Sequence, residues 1–247
     1  MTARVFYTTN DKITRHALSD KAVVLHVDET LVHTTSNDEY QLFETLNLMD
    51  DPSLMGLRSR LYKLSISDTM SPLGTGIVDN FWGVMRPHLK EFLVFCFSYF
   101  RVVAIWSAGQ KKYVEAIVDY IFRDIKPPHI VFTYNDCKKT GDGFIIKPLI
   151  DMINKDTRLS DVMSLSNTFV VDDRDTTYSE NIGNGIKIPA YLPPISVDGM
   201  TTDDPALVQL MYWLTLPKVK LAKDVRELDK TQIFNTSTFE YSKMLGI

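Results

Sequence analysis

With 247 residues, 45% of them hydrophobic, the chain is long enough for one good-sized α/β domain, or one domain carrying an insertion. A formal net charge of −4 excludes the basic balance of a general nucleic-acid binder, so no direct nucleic-acid partner is expected. Two cysteines, Cys96 and Cys137, make no disulfide framework, and neither a signal-peptide pattern nor a membrane-length apolar run is present; the reading is an intracellular protein, cytoplasmic or nuclear, with no membrane partner.

Residues 1–20 are polar and aperiodic and read as an N-terminal arm. Ala22-Val23-Val24-Leu25-His26-Val27 is an apolar run that stops in Asp28-Glu29-Thr30. That is the pattern of a parallel strand buried on both faces, with polar chemistry at its carboxyl end. From 34 to 80 the long buried runs are lost: Asn37-Asp38-Glu39 and Met49-Asp50-Asp51-Pro52 mark turns, 61–67 alternates like an edge strand, and 71–76 is a loop. This stretch is expected to form an insertion of short strands and loops beside the site.

A strand at 81–85 stops at Arg86-Pro87, and Pro87 suits the first turn of a helix over 88–99, where its missing N–H would have no partner anyway. A second buried strand, 101–106, ends in Ser107 and leads to an amphipathic helix over 110–123 with Tyr113, Ile117, Tyr120 and Ile121 inward. A short strand at 129–133 and a Gly-centred turn or hairpin over 137–144 precede Lys147. The strand at 168–171 runs straight into Asp172-Asp173-Arg174. A fifth strand is read at 187–191, a helix at 206–216, and a C-terminal tail from 217 as a helix followed by a loose end.

Strands alternating with helices specify an α/β, Rossmann-like fold: a mostly parallel sheet covered by helices over residues 21–216, with the small insertion at 34–80. Sites in such sheets lie beyond the carboxyl ends of the strands. Three strands end in polar residues, His26 and Asp28, Ser107, and Asp172 with Asp173, and they should converge on one crevice. Carboxylates, a hydroxyl and a nearby lysine suit Mg²⁺-assisted phosphoryl transfer, because hard cations prefer carboxylate oxygens and the lysine neutralises phosphoryl charge. Taken singly, each residue has a plainer reading. His26 could bond backbone at a strand end, Asp172-Asp173-Arg174 could be a solvated turn, and serine and lysine are common at such positions. His33 and His88 read as structural, and Cys137 as a packing residue without an activating neighbour.

The ordered set resembles the haloacid-dehalogenase superfamily, in particular the RNA polymerase II C-terminal-domain phosphatases and their NLI-interacting-factor-like relatives. Where that family reads Leu-Asp-Leu-Asp-Glu-Thr-Leu-Val-His, this chain reads Leu25-His26-Val27-Asp28-Glu29-Thr30-Leu31-Val32-His33. The likeness continues through Arg86-Pro87-His88, Ser107 with Gln110–Tyr113, Cys137, Lys147 and Asp172-Asp173-Arg174. The resemblance implies a Mg²⁺-dependent phosphoprotein Ser/Thr phosphatase acting on a phosphoprotein or protein partner. Asp28 would be the general acid/base, with its backbone carbonyl on the metal; Ser107 and Lys147 would bind the phosphoryl group; Asp172 and Asp173 would hold Mg²⁺.

The position of the family's nucleophilic aspartate, however, is His26. An imidazole forms no acyl phosphate and is a softer ligand than a carboxylate. Removing a covalent nucleophile costs on the order of 10⁶ in turnover in a well-measured serine protease. The catalytic assignments at His26, Asp28, Ser107 and Lys147 therefore describe an impaired phosphatase. Three readings stay open: a non-catalytic pseudophosphatase that binds phosphoproteins or proteins, a histidine-based variant using phosphohistidine or a softer metal, and a laboratory substitution.

Overall fold

The computed structural model describes residues 4–5, 17–35, 51–69 and 74–235. Among these residues the centre is a six-stranded sheet, in the order β1 (Arg4–Val5), β7 (Ile130–Phe132), β6 (Val102–Trp106), β2 (Ala22–Leu25), β10 (Thr168–Asp172) and β11 (Gly185–Lys187). The inner strands are β2, β6 and β10, flanked by β7 and β11. These five are mutually parallel, while β1 adds an antiparallel edge on β7. The α/β class and mostly parallel sheet are thus as expected.

Because both faces of the sheet are covered, its inner strands carry unbroken apolar runs, Ala22–Leu25, Val102–Trp106 and 169–171, which feed two cores. Val23, Leu25, Val103, Ile105, Phe169 and Val171 join the larger core with the helices Leu89–Tyr99, Lys111–Phe122 and Ala206–Thr215. Ala22, Val24, Val102, Ala104, Trp106 and Val170 face Leu149, Met152, Ile153 and Leu159 on the other side. The register decides where chemistry falls. Leu25 lies opposite Val171 on one neighbour and Ile105 on the other, so the next step brings His26 level with Asp172 and Trp106.

A second, antiparallel sheet has the order β3-β5-β4, built from β3 (Val32–Thr35), β4 (Leu61–Ser67) and β5 (Val78–Met85). Gly83 is its pivot: it pairs with Tyr62 on β4 and with Thr34 on β3. A Cβ at Gly83 would sit 2.0 Å from Tyr62 Cζ, so only glycine lets the tyrosine ring lie across the sheet. The alternation at 61–67 does form the edge strand, and the turn read over 137–144 is the hairpin that pairs β8 (Lys138–Lys139) with β9 (Ile145–Ile146). The turn read at 37–39 lies outside the described residues.

Several boundaries move, each for a local reason. The first strand ends at Leu25 because the chain turns back at Val27. Pro87 stands outside the helix, one residue before a His88 cap in the left-handed region (φ 63°). The fifth strand starts at Gly185, where a Cβ would meet the Tyr178 ring at 1.9 Å; a pattern reading that avoids glycine in strands begins it too late. Arg4–Val5 is a strand inside what reads as an arm. Beyond 217, a short helix (Pro217–Lys220) and Val225 pack on the larger core, and residues from 236 lie outside the described ones.

Candidate functional site

The turn after β2 brings the acidic residues into place. The N–H groups of Thr30, Leu31 and Val32 all point back to the Val27 carbonyl, at 3.3, 2.8 and 3.2 Å. Glu29 takes φ 59° to make this possible. Arg86, fully buried, locks the turn from below. Its guanidinium donates to the Thr30 carbonyl (3.1 Å), the Pro189 carbonyl (2.9 Å) and both oxygens of Asp204 (3.0 and 2.9 Å). Arg86 enters the sequence reading only as part of a motif, and its structural duty shows only in its burial.

At the end of β2, His26 meets Lys147 and the β10 carboxylates. Lys147 Nζ lies 3.1 Å from His26 Nδ1 and donates to Asp172 Oδ2 at 2.6 Å. Asp172 is held further by the Thr177 hydroxyl (2.8 Å) and the Arg174 N–H (2.9 Å). His26 Nε2 faces Asp173 Oδ1 at 3.9 Å, and Asp173 accepts from the Thr30 hydroxyl at 3.2 Å. Burial, helped by the Lys147 ammonium, lowers the His26 imidazole to about 4, so it is neutral near pH 7. Burial pushes Asp172 up, but its neighbours His26 and Lys147 outweigh it and hold the carboxyl below its ordinary value. With His26 neutral, Lys147 is the operative partner. Asp173 goes the other way, raised by burial and then by Asp172.

Asp28 belongs to a different network. Its carboxylate accepts from the Tyr113 hydroxyl in a short hydrogen bond and from the Thr34 hydroxyl at 3.3 Å. Thr34 in turn lies 2.6 Å from the hydroxyls of both Tyr113 and Tyr62. Desolvation raises Asp28, and the two hydroxyl hydrogen bonds only partly offset it. A raised carboxyl against a hydroxyl chain can hold and pass a proton. Ser107 directly follows β6, fully buried, with its Oγ accepting from the Gly109 N–H at 3.0 Å. It follows Trp106, whose carbonyl is 3.3 Å from His26 Nδ1.

The predicted residues therefore reach one end of the sheet but not one cluster. His26, Lys147, Asp172 and Asp173 touch; Asp28 is clasped by hydroxyls; Ser107 stands beside the strand-end carbonyl. Sequence reading missed Thr34, Tyr62 and Thr177, and took Tyr113 for a core residue. Nothing periodic marks these hydroxyls, which come from four separate segments.

The description NLI interacting factor-like phosphatase matches residues 21–226. The chain belongs to the NLI interacting factor-like phosphatase family. Nuclear envelope morphology protein 1 of Schizosaccharomyces pombe is 25% identical over 223 residues, which are 88% of this chain but 38% of that protein. Two solved structures share the fold. The fission yeast RNA polymerase II CTD phosphatase Fcp1 bound to beryllium fluoride superposes with TM-score 0.54 at 19% identity, covering 78% of this chain and 49% of that one. A structure of Fcp1, described as an essential RNA polymerase II CTD phosphatase, gives TM-score 0.55 at 15% identity, covering 92% and 64%. This chain thus spans less than two thirds of the length of each of these relatives.

The chain's acidic cluster lies at the carboxyl end of the parallel strands, and it offers ligand atoms for a metal. Among the described residues, His26, Asp172 and Asp173 each offer a ligand atom, all within 4.8 Å of one another; the Asp28 carboxylate is not in this group. The donor set suits Mg²⁺ poorly, since one position that a hard cation fills with oxygen is an imidazole. The formal charge is also one unit less negative than a carboxylate at position 26 would make it. No helix among the described residues is long and apolar enough to cross a membrane.

Proposed function

We propose that this chain is a phosphoprotein Ser/Thr phosphatase by descent whose covalent step is disabled. The observation that carries this reading is the His26 imidazole, held between Lys147 at 3.1 Å and Asp173 at 3.9 Å. An acyl phosphate needs a carboxylate oxygen at that place, and a neutral imidazole provides none.

The remaining positions keep their inherited chemistry. Asp28, raised by burial and backed by Tyr113 and Thr34, serves as the general acid/base. Ser107 and the Lys147 ammonium receive the phosphoryl oxygens, with Lys147 held in place by its hydrogen bond to Asp172. Asp172 and Asp173 hold the metal, with Mg²⁺, the family's expected ion, bound weakly because of His26. The substrate or partner is a phosphoprotein or another protein inside the cell, in cytoplasm or nucleus.

A second reading, a pseudophosphatase that binds phosphoproteins or proteins without turnover, rests on the same imidazole beside a retained lysine. Hydrolysis of p-nitrophenyl phosphate separates the two. With Mg²⁺ the unmodified chain should turn over weakly or not at all. His26→Asp should hydrolyse well above it, and Asp28→Asn in that background should abolish the gain. Strong Mg²⁺-dependent turnover by the unmodified chain, lost in His26→Ala, would make histidine a working nucleophile and overturn the proposal. A folded but inactive His26→Asp chain would leave binding as the supported role.

A further inference from the structure

We infer that the cluster at the end of β2 is a site for a borderline transition cation of the Mn²⁺, Fe²⁺ or Zn²⁺ class, held by His26 Nε2 with the carboxylates of Asp172 and Asp173. This deepens the functional proposal at the same site, but it is a statement about binding and does not require turnover.

Two features of the cluster point to a cation beyond its composition. The first is Asp173. Its side chain is 3% exposed, and among the described residues its ion-pair partner is His26 alone, at 3.9 Å. The Thr30 hydroxyl at 3.2 Å and a backbone N–H of its own residue are a small return for desolvating a carboxylate, and a cation beside it would supply the missing counter-charge. Asp172, by contrast, already has Lys147.

The second feature is what stands behind His26. Nδ1 has two neighbours that demand opposite things of it: Lys147 Nζ at 3.1 Å can only donate, and the Trp106 carbonyl at 3.3 Å can only accept. With the proton on Nε2, the ring accepts from Lys147 and offers no lone pair to a metal. With the proton on Nδ1, it donates to Trp106 and turns the Nε2 lone pair toward Asp173. A backbone carbonyl behind the far nitrogen is the usual support of a metal-bound histidine. The same ring can therefore change tautomer when a cation arrives, while Lys147 keeps its bond to Asp172.

An imidazole with two carboxylates suits borderline metals, whereas Mg²⁺ asks for oxygen ligands and keeps its waters. Zn²⁺ outcompeting Mg²⁺ would decide little alone, because most nitrogen and oxygen sites prefer it. The change on swapping the ligand is decisive. Isothermal titration of the full chain with Mn²⁺, Zn²⁺ and Mg²⁺ should show Mn²⁺ and Zn²⁺ binding. His26→Asp should shift the Zn²⁺/Mg²⁺ affinity ratio toward Mg²⁺ by roughly 10–100-fold or more, since even an outer partner of a ligand is worth that much. His26→Asn, a second route should the aspartate variant fail to fold, should weaken Mn²⁺ and Zn²⁺ binding over the same range, and His88→Ala should leave binding unchanged. ¹⁵N spectra should move His26 from the Nε2–H to the Nδ1–H tautomer on Zn²⁺ addition. An affinity ratio unchanged in His26→Asp, full affinity in folded His26→Asn, or no Mn²⁺ or Zn²⁺ binding by the unmodified chain would overturn the inference. Absence of phosphatase activity in every variant would count against the functional proposal and leave this one standing.

Discussion

Arg86→Met tests how much of the site's order comes from a buried guanidinium below it. The substitution keeps an unbranched apolar stem but removes four hydrogen bonds: to Thr30 O, Pro189 O and both oxygens of Asp204. Their costs differ with exposure. Thr30 is fully buried, so its carbonyl loses a partner with no water to replace it, about 1–3 kcal/mol. Pro189 is exposed, so its carbonyl turns to solvent at little cost. Breaking a buried pair costs about 3–5 kcal/mol, but the Asp204 side chain is 24% exposed and water recovers part of that. The sum is a loss of about 2–4 kcal/mol. Arg86→Lys should recover less than half, because an ammonium cannot fork across a carboxylate while also reaching two carbonyls. Urea unfolding followed by circular dichroism measures this, provided the m-value is unchanged. A loss under about 1 kcal/mol, or full rescue by lysine, would refute the reasoning.

Two further predictions concern stability. Burial lowers His129 to about 4 despite its hydrogen bonding with Val103, so the unfolded chain binds a proton that the folded chain refuses between about 4 and 6.5. Stability is then fully present above 6.5, falls as pH drops toward 4, and His129→Asn should flatten that fall by up to about 3 kcal/mol; a pH series of urea midpoints unchanged by the substitution would contradict it. Gly83→Ala, whose Cβ would lie 2.0 Å from Tyr62 Cζ, should cost about 1–3 kcal/mol, while Gly56→Ala, with nothing within 4 Å, should cost nothing or stabilise slightly. Equal melting temperatures for the two variants would show that Tyr62 does not need the glycine.

What could be read from the chain alone was whatever leaves a local, repeating mark. The unbroken apolar runs ending at Leu25, Trp106 and Val171 announce strands covered on both faces, and a parallel sheet brings their carboxyl ends to one edge. That put His26, Asp28, Ser107, Asp172 and Asp173 at one end of the sheet before any contact was known. The ordered motifs likewise identified the family, because short strand-to-loop signatures survive in the sequence as written.

Tertiary structure decided the rest. Whether Asp28 faced Asp172 and Asp173 or turned away depended on Thr34, Tyr62 and Tyr113, whose hydroxyls come from positions up to 85 residues from Asp28. That three-way meeting needs Gly83 between two strands, a cross-strand register that no periodicity records. The same holds for Gly185 under Tyr178 and for Arg86 under Thr30: each looks locally like a strand breaker or a surface charge. Hydrophobic periodicity encodes which face of an element is buried, a property of neighbours in sequence. Hydrogen-bond partners are set by how separate elements pack, and that is decided only when the sheets and helices close on one another.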